Sequence, residues 1–316
     1  MNPGYDRPLY LLPFDHRHSY VSGMFGFEPP LSAPQHAEVA ASKRLIYDGF
    51  RQALGDGVPA DRAGILVDEE FGAQVLEDAH ASGCVTAVSV EKSGSDEFFF
   101  EYGNAFMEHI AKVAPTFAKV LVRYNPEDDE QLNRRQADRL RSLSVACRDA
   151  GQRLMFELLV PANAAQLQRC GGDRDAYDRK LRPELMCRAI RSLQDDDVEP
   201  DVWKIEGLDS RADCEELVGT AQRGGRRGVG CIVLGRGADE QRVIGWLRTA
   251  AAVPGFIGFA VGRTTFWDAV ADERKGAITR QQAAGRIAQR YLEWVRVYEQ
   301  AAQAGAPAGA ARARGS

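Results

Sequence analysis

The sequence has no long hydrophobic run. No segment approaches the roughly 18 consecutive apolar residues that a membrane-spanning helix requires. The first twenty residues, MNPGYDRPLYLLPFDHRHSY, also lack the charged region and following apolar run of a secretory signal peptide. We therefore expect a protein that stays in the cytoplasm and does not associate with a membrane.

The sequence also has no excess of basic residues. Its 316 residues include 40 lysines and arginines against 45 aspartates and glutamates, for a formal net charge of -5. Domains that bind nucleic acid usually carry a basic surface. We therefore expect no nucleic-acid partner.

Patterns for disulfides, metals and serine hydrolases are missing as well. The six cysteines are widely spaced without a C-x-x-C pair, so we expect them to be reduced and several to lie in the core. There is no H-E-x-x-H and no G-x-S-x-G. We expect neither a metal nor a cofactor, although His16 and His18, just after the first predicted strand, keep a metal-dependent reaction open as an alternative.

Eight short apolar segments alternate with longer amphipathic stretches. This alternation is typical of βα units around a parallel sheet, and a count of eight predicts a single (β/α)8 TIM barrel. We assign the barrel to residues 1–300 and predict a disordered, low-complexity tail at residues 301–316. The predicted strands are Leu9–Phe14, Ala63–Asp68, Thr86–Val90, Ala118–Arg123, Arg153–Leu159, Asp201–Glu206, Gly230–Leu234 and Phe256–Val261.

Charged residues lie on the predicted inward faces of three strands. Side chains alternate with a period of two, so Lys119, Glu157 and Lys204 with Glu206 are expected to point into the barrel. Burial of an unpaired charge costs several kcal/mol. The first explanation is therefore mutual ion pairing in a polar barrel centre.

The second explanation is amine chemistry. A desolvated lysine beside another cation loses its proton more easily and can attack a carbonyl to form a Schiff base. We take Lys204 as the candidate nucleophile, Lys119 as the neighbouring cation and Glu157 as the group that transfers the proton. Lys92 is a rival nucleophile, disfavoured because it lies past the end of its strand.

Two Gly-Arg pairs follow the last two strands. Barrels often hold a phosphate at the loops after strands seven and eight. Gly235 with Arg236, and Gly262 with Arg263, are therefore candidate phosphate contacts. The alternative is that each arginine lies on the surface and pairs with a carboxylate. The segment Gly171–Lys180 is predicted to be a mobile loop over the site or an ordinary solvated loop.

Several motifs occur in the order of a known family. They are FDHR after strand one, ILVDEEFG at strand two, KVLVRYNPED at strand four, FELLVP at strand five, DVWKIEG at strand six and GRTTFWDA at strand eight. Over roughly residues 9 to 270 the chain resembles class I tagatose-bisphosphate aldolases and their sulfofructosephosphate aldolase relatives. PFDHRHSY, EKSGSDEFFFEYG and RYNPEDD are more similar to the aldolase-like domain of bifunctional 5-dehydro-2-deoxygluconokinase proteins of inositol catabolism.

The resemblance implies metal-free cleavage of a phosphorylated ketose to dihydroxyacetone phosphate and an aldehyde. It places the Schiff-base lysine at Lys204, further catalytic groups at Lys119, Glu157 and Asp15, and a phosphate contact at Gly262 with Arg263. Arg17 matches the arginine that follows the family's first strand. Because barrel aldolases commonly associate, a homo-oligomer is compatible with the resemblance, but no interface is readable.

The sequence departs from the family pattern at two places. His16 stands where the family has glutamine, which affects recognition of substrate hydroxyls. Arg236 is an addition that favours a sugar-acid phosphate such as 5-dehydro-2-deoxygluconate 6-phosphate. Glu206 is expected to hold Lys204 or a substrate hydroxyl. A barrel that binds a sugar phosphate without turnover, and regulates a partner, is the alternative of another class.

Overall fold

The strands of the computed structural model, which describes residues 3–305, form a closed barrel. All eight are parallel, and β1 pairs with β8 to complete the ring. The predicted (β/α)8 TIM barrel is confirmed, and each strand end lies within one residue of its predicted position. The strands are β1 (Leu9–Pro13), β2 (Ala63–Val67), β3 (Val85–Ser89), β4 (Phe117–Arg123), β5 (Arg153–Leu159), β6 (Val202–Glu206), β7 (Gly230–Leu234) and β8 (Phe256–Ala260).

Helices follow the strands and pack around the outside of the barrel. Those within the described residues are α1 (His18–Tyr20), α2 (Ala33–Gly55), α3 (Glu69–Ala81), α4 (Phe106–Val113), α5 (Glu130–Asp149), α6 (Ala164–Arg169), α7 (Arg174–Lys180), α8 (Arg182–Asp195), α9 (Arg211–Ala221), α10 (Glu240–Ala251), α11 (Arg263–Arg274) and α12 (Arg280–Gly305).

Local sequence explains where the long helices start. Ser32 and Gln35 form a capping box at the start of α2, and the Asp129 carboxylate accepts hydrogen bonds from the first turn of α5. Such caps satisfy backbone N–H groups that have no partner within the helix. They place both helices directly after the loops that follow β1 and β4.

The inside of the barrel is divided into an apolar floor and a charged layer above it. Side chains from β1, β2, β3, β5 and β7 fill the floor; these are Leu11, Leu66, Ala87, Met155 and Ile232. Two residues further along β5 and β6, the inward side chains are Glu157 and Lys204, which pair in register. The floor closes the barrel below, so the charged layer faces the carboxyl ends of the strands.

Two predicted segments differ from the structure. Helix α12 continues through Gly305, so the predicted tail begins at least five residues too early; residues 306–316 lie outside the described residues. The predicted loop Gly171–Lys180 is wrong for its last seven residues, which form α7. Tyr177 of α7 is buried and donates a hydrogen bond to the carbonyl of Val160, at 2.9 Å, and this contact holds the helix against the end of β5.

All six cysteines are free, and Cys147, Cys187, Cys214 and Cys231 are buried, as expected for several of them. Over residues 3–305, no helix has both the length and the apolar character required to span a membrane.

Candidate active site

A cavity of about 410 Å³ opens at the carboxyl ends of the strands. Its wall includes Asp15 after β1, Lys119 of β4, Glu157 of β5 and Lys204 of β6. The four residues predicted as catalytic therefore share one cavity. The cavity also reaches the loops after β3, β7 and β8.

Lys119 lies at the centre of three carboxylates. Its Nζ is 2.8 Å from Asp15 Oδ2, 2.8 Å from Glu91 Oε1 and 2.9 Å from Glu157 Oε2. Burial alone would lower the pKa of this ammonium, but attraction from Asp15, Glu157 and Glu91 outweighs it and raises the pKa well above the ordinary value. Lys119 is therefore a fixed cation.

The pKa values of two of these carboxylates shift in the opposite direction, downward. Burial would raise the pKa of Asp15 and of Glu157, but Lys119 and Lys204 together lower both. Asp15 is also held by the hydroxyl of Ser89, which donates to Oδ2 at 2.8 Å. Both carboxylates are thus ionised near neutral pH.

Glu157 joins the two lysines. Its Oε1 is 2.7 Å from Lys204 Nζ, while its Oε2 contacts Lys119. Only 5% of the Lys204 side chain is exposed, and Glu157 is its only ionic partner among residues 3–305. A carboxylate in direct contact with a buried amine is suitably placed to exchange a proton with it.

Glu206 does not hold Lys204, contrary to the expectation. Its Oε2 accepts a hydrogen bond from the backbone N–H of Val160 at 3.0 Å, and its Oε1 lies 2.9 Å from Arg236 Nε and 3.6 Å from Arg182. It is not part of the cavity wall. Glu206 thus fixes the end of β5 and a neighbouring arginine rather than Lys204.

Arg236 and Arg263 have different surroundings, although both line the cavity. Arg236 lies in the left-handed region (φ 53°) and pairs with Asp178 of α7, at 2.7 Å, as well as with Glu206. Its expected role as a free anion contact is therefore not supported, because two carboxylates already neutralise it. Arg263, the first residue of α11, has no ion pair within residues 3–305.

The glycines of this region allow close approach of the chain. A Cβ at Gly262 would lie 2.3 Å from the carbonyl oxygen of Pro13, and one at Gly235 would lie 3.1 Å from Val261. Gly237 has φ 69°, and a Cβ there would lie 3.2 Å from the Arg263 guanidinium. The backbone at β7 and β8 therefore passes close to Arg263 and leaves the space beside it open.

His16 and Arg17 continue the wall after β1. Arg17 donates to Glu101 Oε2 at 2.8 Å and to the carbonyl of Glu91 at 2.5 Å, so most of it is occupied by the protein. His16 Nδ1 is buried and has no partner in the described part of the chain. Burial lowers the pKa of His16 to about 4, so the ring is neutral at pH 7 and suits an uncharged substrate group.

Two residues at this site are not among those predicted from the sequence. One is Glu91, which lies in the cavity wall against Lys119; the period of two along β3 could have found it. The other is Lys43 of α2, which is fully buried, pairs with Asp68 and donates to the carbonyl of His16 at 3.0 Å. No local pattern relates a lysine in α2 to the loop after β1.

The site has no arrangement typical of a metal centre in the part of the chain that the structure describes. Residues 3–305 contain no group of three His, Cys, Asp or Glu side chains placed to hold an ion. The three neighbouring carboxylates all face the Lys119 ammonium.

The family of the chain follows from its sequence. A family model described as "Uncharacterized protein conserved in bacteria (DUF2090)" matches residues 5–302. The chain belongs to this family. No curated protein matches the sequence significantly, so the finer resemblance to tagatose-bisphosphate aldolases and to the domain of inositol catabolism stays a prediction.

Solved structures resemble this DUF2090 chain in fold. Cgl0159 from Corynebacterium glutamicum is 15% identical, with a TM-score of 0.55 over 92% of this chain and 88% of the other. A Schiff base forming fructose-1,6-bisphosphate aldolase is 13% identical, with a TM-score of 0.53 over 89% of this chain and 93% of the other. An archaeal fructose 1,6-bisphosphate aldolase is 11% identical, with a TM-score of 0.55 over 90% of this chain and 94% of the other. At these identities the likeness establishes the barrel fold alone.

Proposed function

We propose that the protein is a class I aldolase that cleaves a phosphorylated keto-sugar or keto-sugar acid through a Schiff base on Lys204. The observation that carries the proposal is the contact between Lys204 Nζ and Glu157 Oε1, at 2.7 Å, inside a cavity that is also lined by Arg263, which has no ion pair within residues 3–305. Two of the similar barrels are named as fructose-1,6-bisphosphate aldolases, one of them as Schiff base forming. This agreement supports the proposal by analogy of fold.

Glu157 exchanges protons with the reacting nitrogen. It takes the proton that Lys204 must lose, and the free amine attacks the substrate carbonyl. The same carboxyl group then protonates the hydroxyl of the carbinolamine, which leaves as water and yields the iminium. The iminium accepts the electron pair of the breaking carbon–carbon bond and becomes an enamine, while the other half departs as an aldehyde.

Lys119 keeps the site charged and in place. Its ammonium contacts Glu157 and Asp15, which favours the ionised form of both carboxylates before the reaction and holds them in position. After cleavage, protonation of the enamine carbon and attack of water on the iminium release dihydroxyacetone phosphate and regenerate Lys204. The reaction as written needs no metal and no cofactor.

The substrate has an anion at each end in this proposal. The phosphate of the ketone half binds at Arg263, beside the open backbone of Gly235 and Gly262. At the opposite side of the cavity, Lys92 and Arg123 line the wall and have no ion pair within residues 3–305. These two cations replace Arg236 as the contacts for a distal carboxylate or second phosphate.

We therefore propose 5-dehydro-2-deoxygluconate 6-phosphate as the substrate, with tagatose 1,6-bisphosphate and sulfofructosephosphate as alternatives. The test is a panel of these three compounds, with formation of dihydroxyacetone phosphate measured by a coupled assay, with and without a chelator. Cleavage of at least one, unchanged by the chelator, is the expected result. Binding of the panel without cleavage would favour the sugar-phosphate-binding regulator instead, and activity lost to the chelator would contradict the metal-free reaction.

A further inference from the structure

Glu91 lines the same cavity and carries a buried carboxylate oxygen that has no partner among residues 3–305. Its Oε1 is 2.8 Å from Lys119 Nζ, and its Oε2 makes no hydrogen bond in the described part of the chain. Only 12% of the side chain is exposed, and the residue lines the cavity. Buried carboxylate oxygens are normally hydrogen-bonded, so an unpartnered one on a residue that lines a cavity indicates a donor on the ligand.

The backbone holds Glu91 in this position. Its carbonyl accepts a hydrogen bond from Arg17 at 2.5 Å, and the residue pairs with Phe100 in an isolated bridge just beyond β3. These contacts and the ion pair to Lys119 fix Oε1 and the main chain but leave Oε2 uncommitted. The free oxygen is therefore a built feature and not the end of a mobile side chain.

The barrel topology puts Glu91 on the side of the aldehyde half. Arg263 follows β8, Lys204 is on β6 and Glu91 follows β3, which is opposite β7 and β8 in the closed ring. A substrate with its phosphate at Arg263 and its ketone carbon at Lys204 extends its remaining carbons toward β3. The group of the substrate nearest to Glu91 then belongs to the part that leaves.

The other two carboxylates are less suited to this part of the substrate. Each oxygen of Glu157 already contacts an ammonium, Lys204 at Oε1 and Lys119 at Oε2. Asp15 Oδ2 is likewise engaged, by the hydroxyl of Ser89 and by Lys119 Nζ, each at 2.8 Å. Glu91 therefore combines a carboxylate oxygen that has no partner among residues 3–305 with a position after β3.

We propose that Glu91 is the catalytic base for the hydroxyl on the carbon that leaves as the aldehyde, an inference that rests on the proposed function. In the cleavage step the O–H bond breaks and its proton goes to Oε2. The hydroxyl oxygen then forms the aldehyde C=O, the carbon–carbon bond breaks, and its electron pair goes to the iminium on Lys204. Glu157 thus exchanges protons with the nitrogen of Lys204, and Glu91 takes the proton of the hydroxyl on the departing carbon.

The test separates the two halves of the reaction. Dihydroxyacetone phosphate alone carries no aldehyde half, so its exchange of C3 hydrogen with deuterated water and its trapping by borohydride need Lys204 and Glu157 but not Glu91. Condensation of dihydroxyacetone phosphate with D-glyceraldehyde 3-phosphate and cleavage of 5-dehydro-2-deoxygluconate 6-phosphate need all three. The variant Glu91→Gln keeps the shape and a hydrogen-bond acceptor for Lys119.

For Glu91→Gln we expect kcat for cleavage and condensation to fall about 100- to 10,000-fold, with exchange and trapping within about threefold of wild type. Glu101→Gln, which removes the other carboxylate bound to Arg17, is the matched control and is expected not to separate the two assays. Equal loss in both assays, or selective loss in Asp15→Asn but not in Glu91→Gln, would overturn the inference while leaving the aldolase proposal intact. Absence of trapping in the wild-type protein would instead overturn the proposed function, and this inference with it.

Discussion

Lys204 Nζ and Glu157 Oε1 lie 2.7 Å apart on neighbouring strands at the mouth of the barrel. The register of β5 and β6 places the two residues side by side, so the contact is a consequence of strand pairing and not of a flexible loop. The proposed nucleophile and its proposed proton acceptor are thus held on two paired strands, which favours catalysis by fixed geometry.

Replacement of Glu157 tests its role in proton exchange with the nitrogen. In Glu157→Gln the amide cannot take the proton from Lys204, so we expect kcat to fall about 100- to 10,000-fold. Formation of the Schiff base with dihydroxyacetone phosphate should slow as well, because both steps use the same group. Rapid-mixing borohydride trapping measures this rate, and an unchanged trapping rate would assign the proton transfer to another residue.

Replacement of Lys119 tests the charge balance of the cluster. In Lys119→Met the carboxylates of Asp15, Glu91 and Glu157 lose their shared cation, and we expect a loss of about 3–5 kcal/mol in the free energy of unfolding. Thermal unfolding followed by circular dichroism measures it. A loss below about 1 kcal/mol would contradict the central position of this cation.

The same variant should change how stability depends on pH. In the wild type the lowered pKa values of Asp15 and Glu157 stabilise the fold above their ordinary pKa near 4, and this contribution is lost as pH falls through their folded values. The raised pKa of Lys119 stabilises the fold below about pH 10, and this contribution is lost at higher pH. Without Lys119, burial favours protonated carboxyls, so the variant should be destabilised less at pH 5 than at pH 8.

Arg263 and Arg236 should differ in what their loss affects. Arg263→Ala removes the unpaired cation, so we expect KM for the phosphorylated substrate and the inhibition constant of inorganic phosphate to rise about 10- to 100-fold. Arg236→Ala removes one of the arginines that pair with Asp178 and Glu206, while Arg182 still contacts both, and should lower the melting temperature with a smaller change in phosphate inhibition. The opposite pattern would mean that Arg236 exchanges its carboxylates for the substrate phosphate.

Lys43 should influence the loop after β1 without contacting the substrate. Lys43→Met leaves Asp68 as an unpaired buried charge and frees the carbonyl of His16, so we expect a loss of about 3–5 kcal/mol in stability. The double variant Lys43→Met with Asp68→Asn removes both charges and should recover part of this loss. Chemical unfolding of the three proteins gives the comparison, and no recovery in the double variant would argue against charge as the cause.

The sequence predicted the barrel and its inward charges because both depend on short-range alternation. A period of two along β4, β5 and β6 is enough to direct Lys119, Glu157 and Lys204 inward. The partners of the arginines were not predictable in this way. Arg236 pairs with Asp178, 58 residues earlier in the chain, and that contact exists only because α7 packs against the loop after β7.

The position of Glu91 could be predicted in part from the sequence. Alternation through Ala87 and Ser89 indicates an inward residue at position 91, but the bridge to Phe100 that continues the extended chain past β3 has no local signature. The three-carboxylate environment of Lys119 likewise requires side chains from four strand ends to meet, which depends on closure of the ring. Closure is a property of the whole barrel and not of any one segment.

Identification of the lysine that forms the Schiff base tests the central claim most directly. The protein is incubated with dihydroxyacetone phosphate, reduced with borohydride and digested, and the modified peptide is mapped by mass spectrometry, with Lys204→Met and Lys92→Met as matched variants. We predict a single reduced adduct on Lys204 that is absent from Lys204→Met and retained in Lys92→Met. An adduct on Lys92 or Lys119, or measurable cleavage with Lys204 unmodified, would contradict the account.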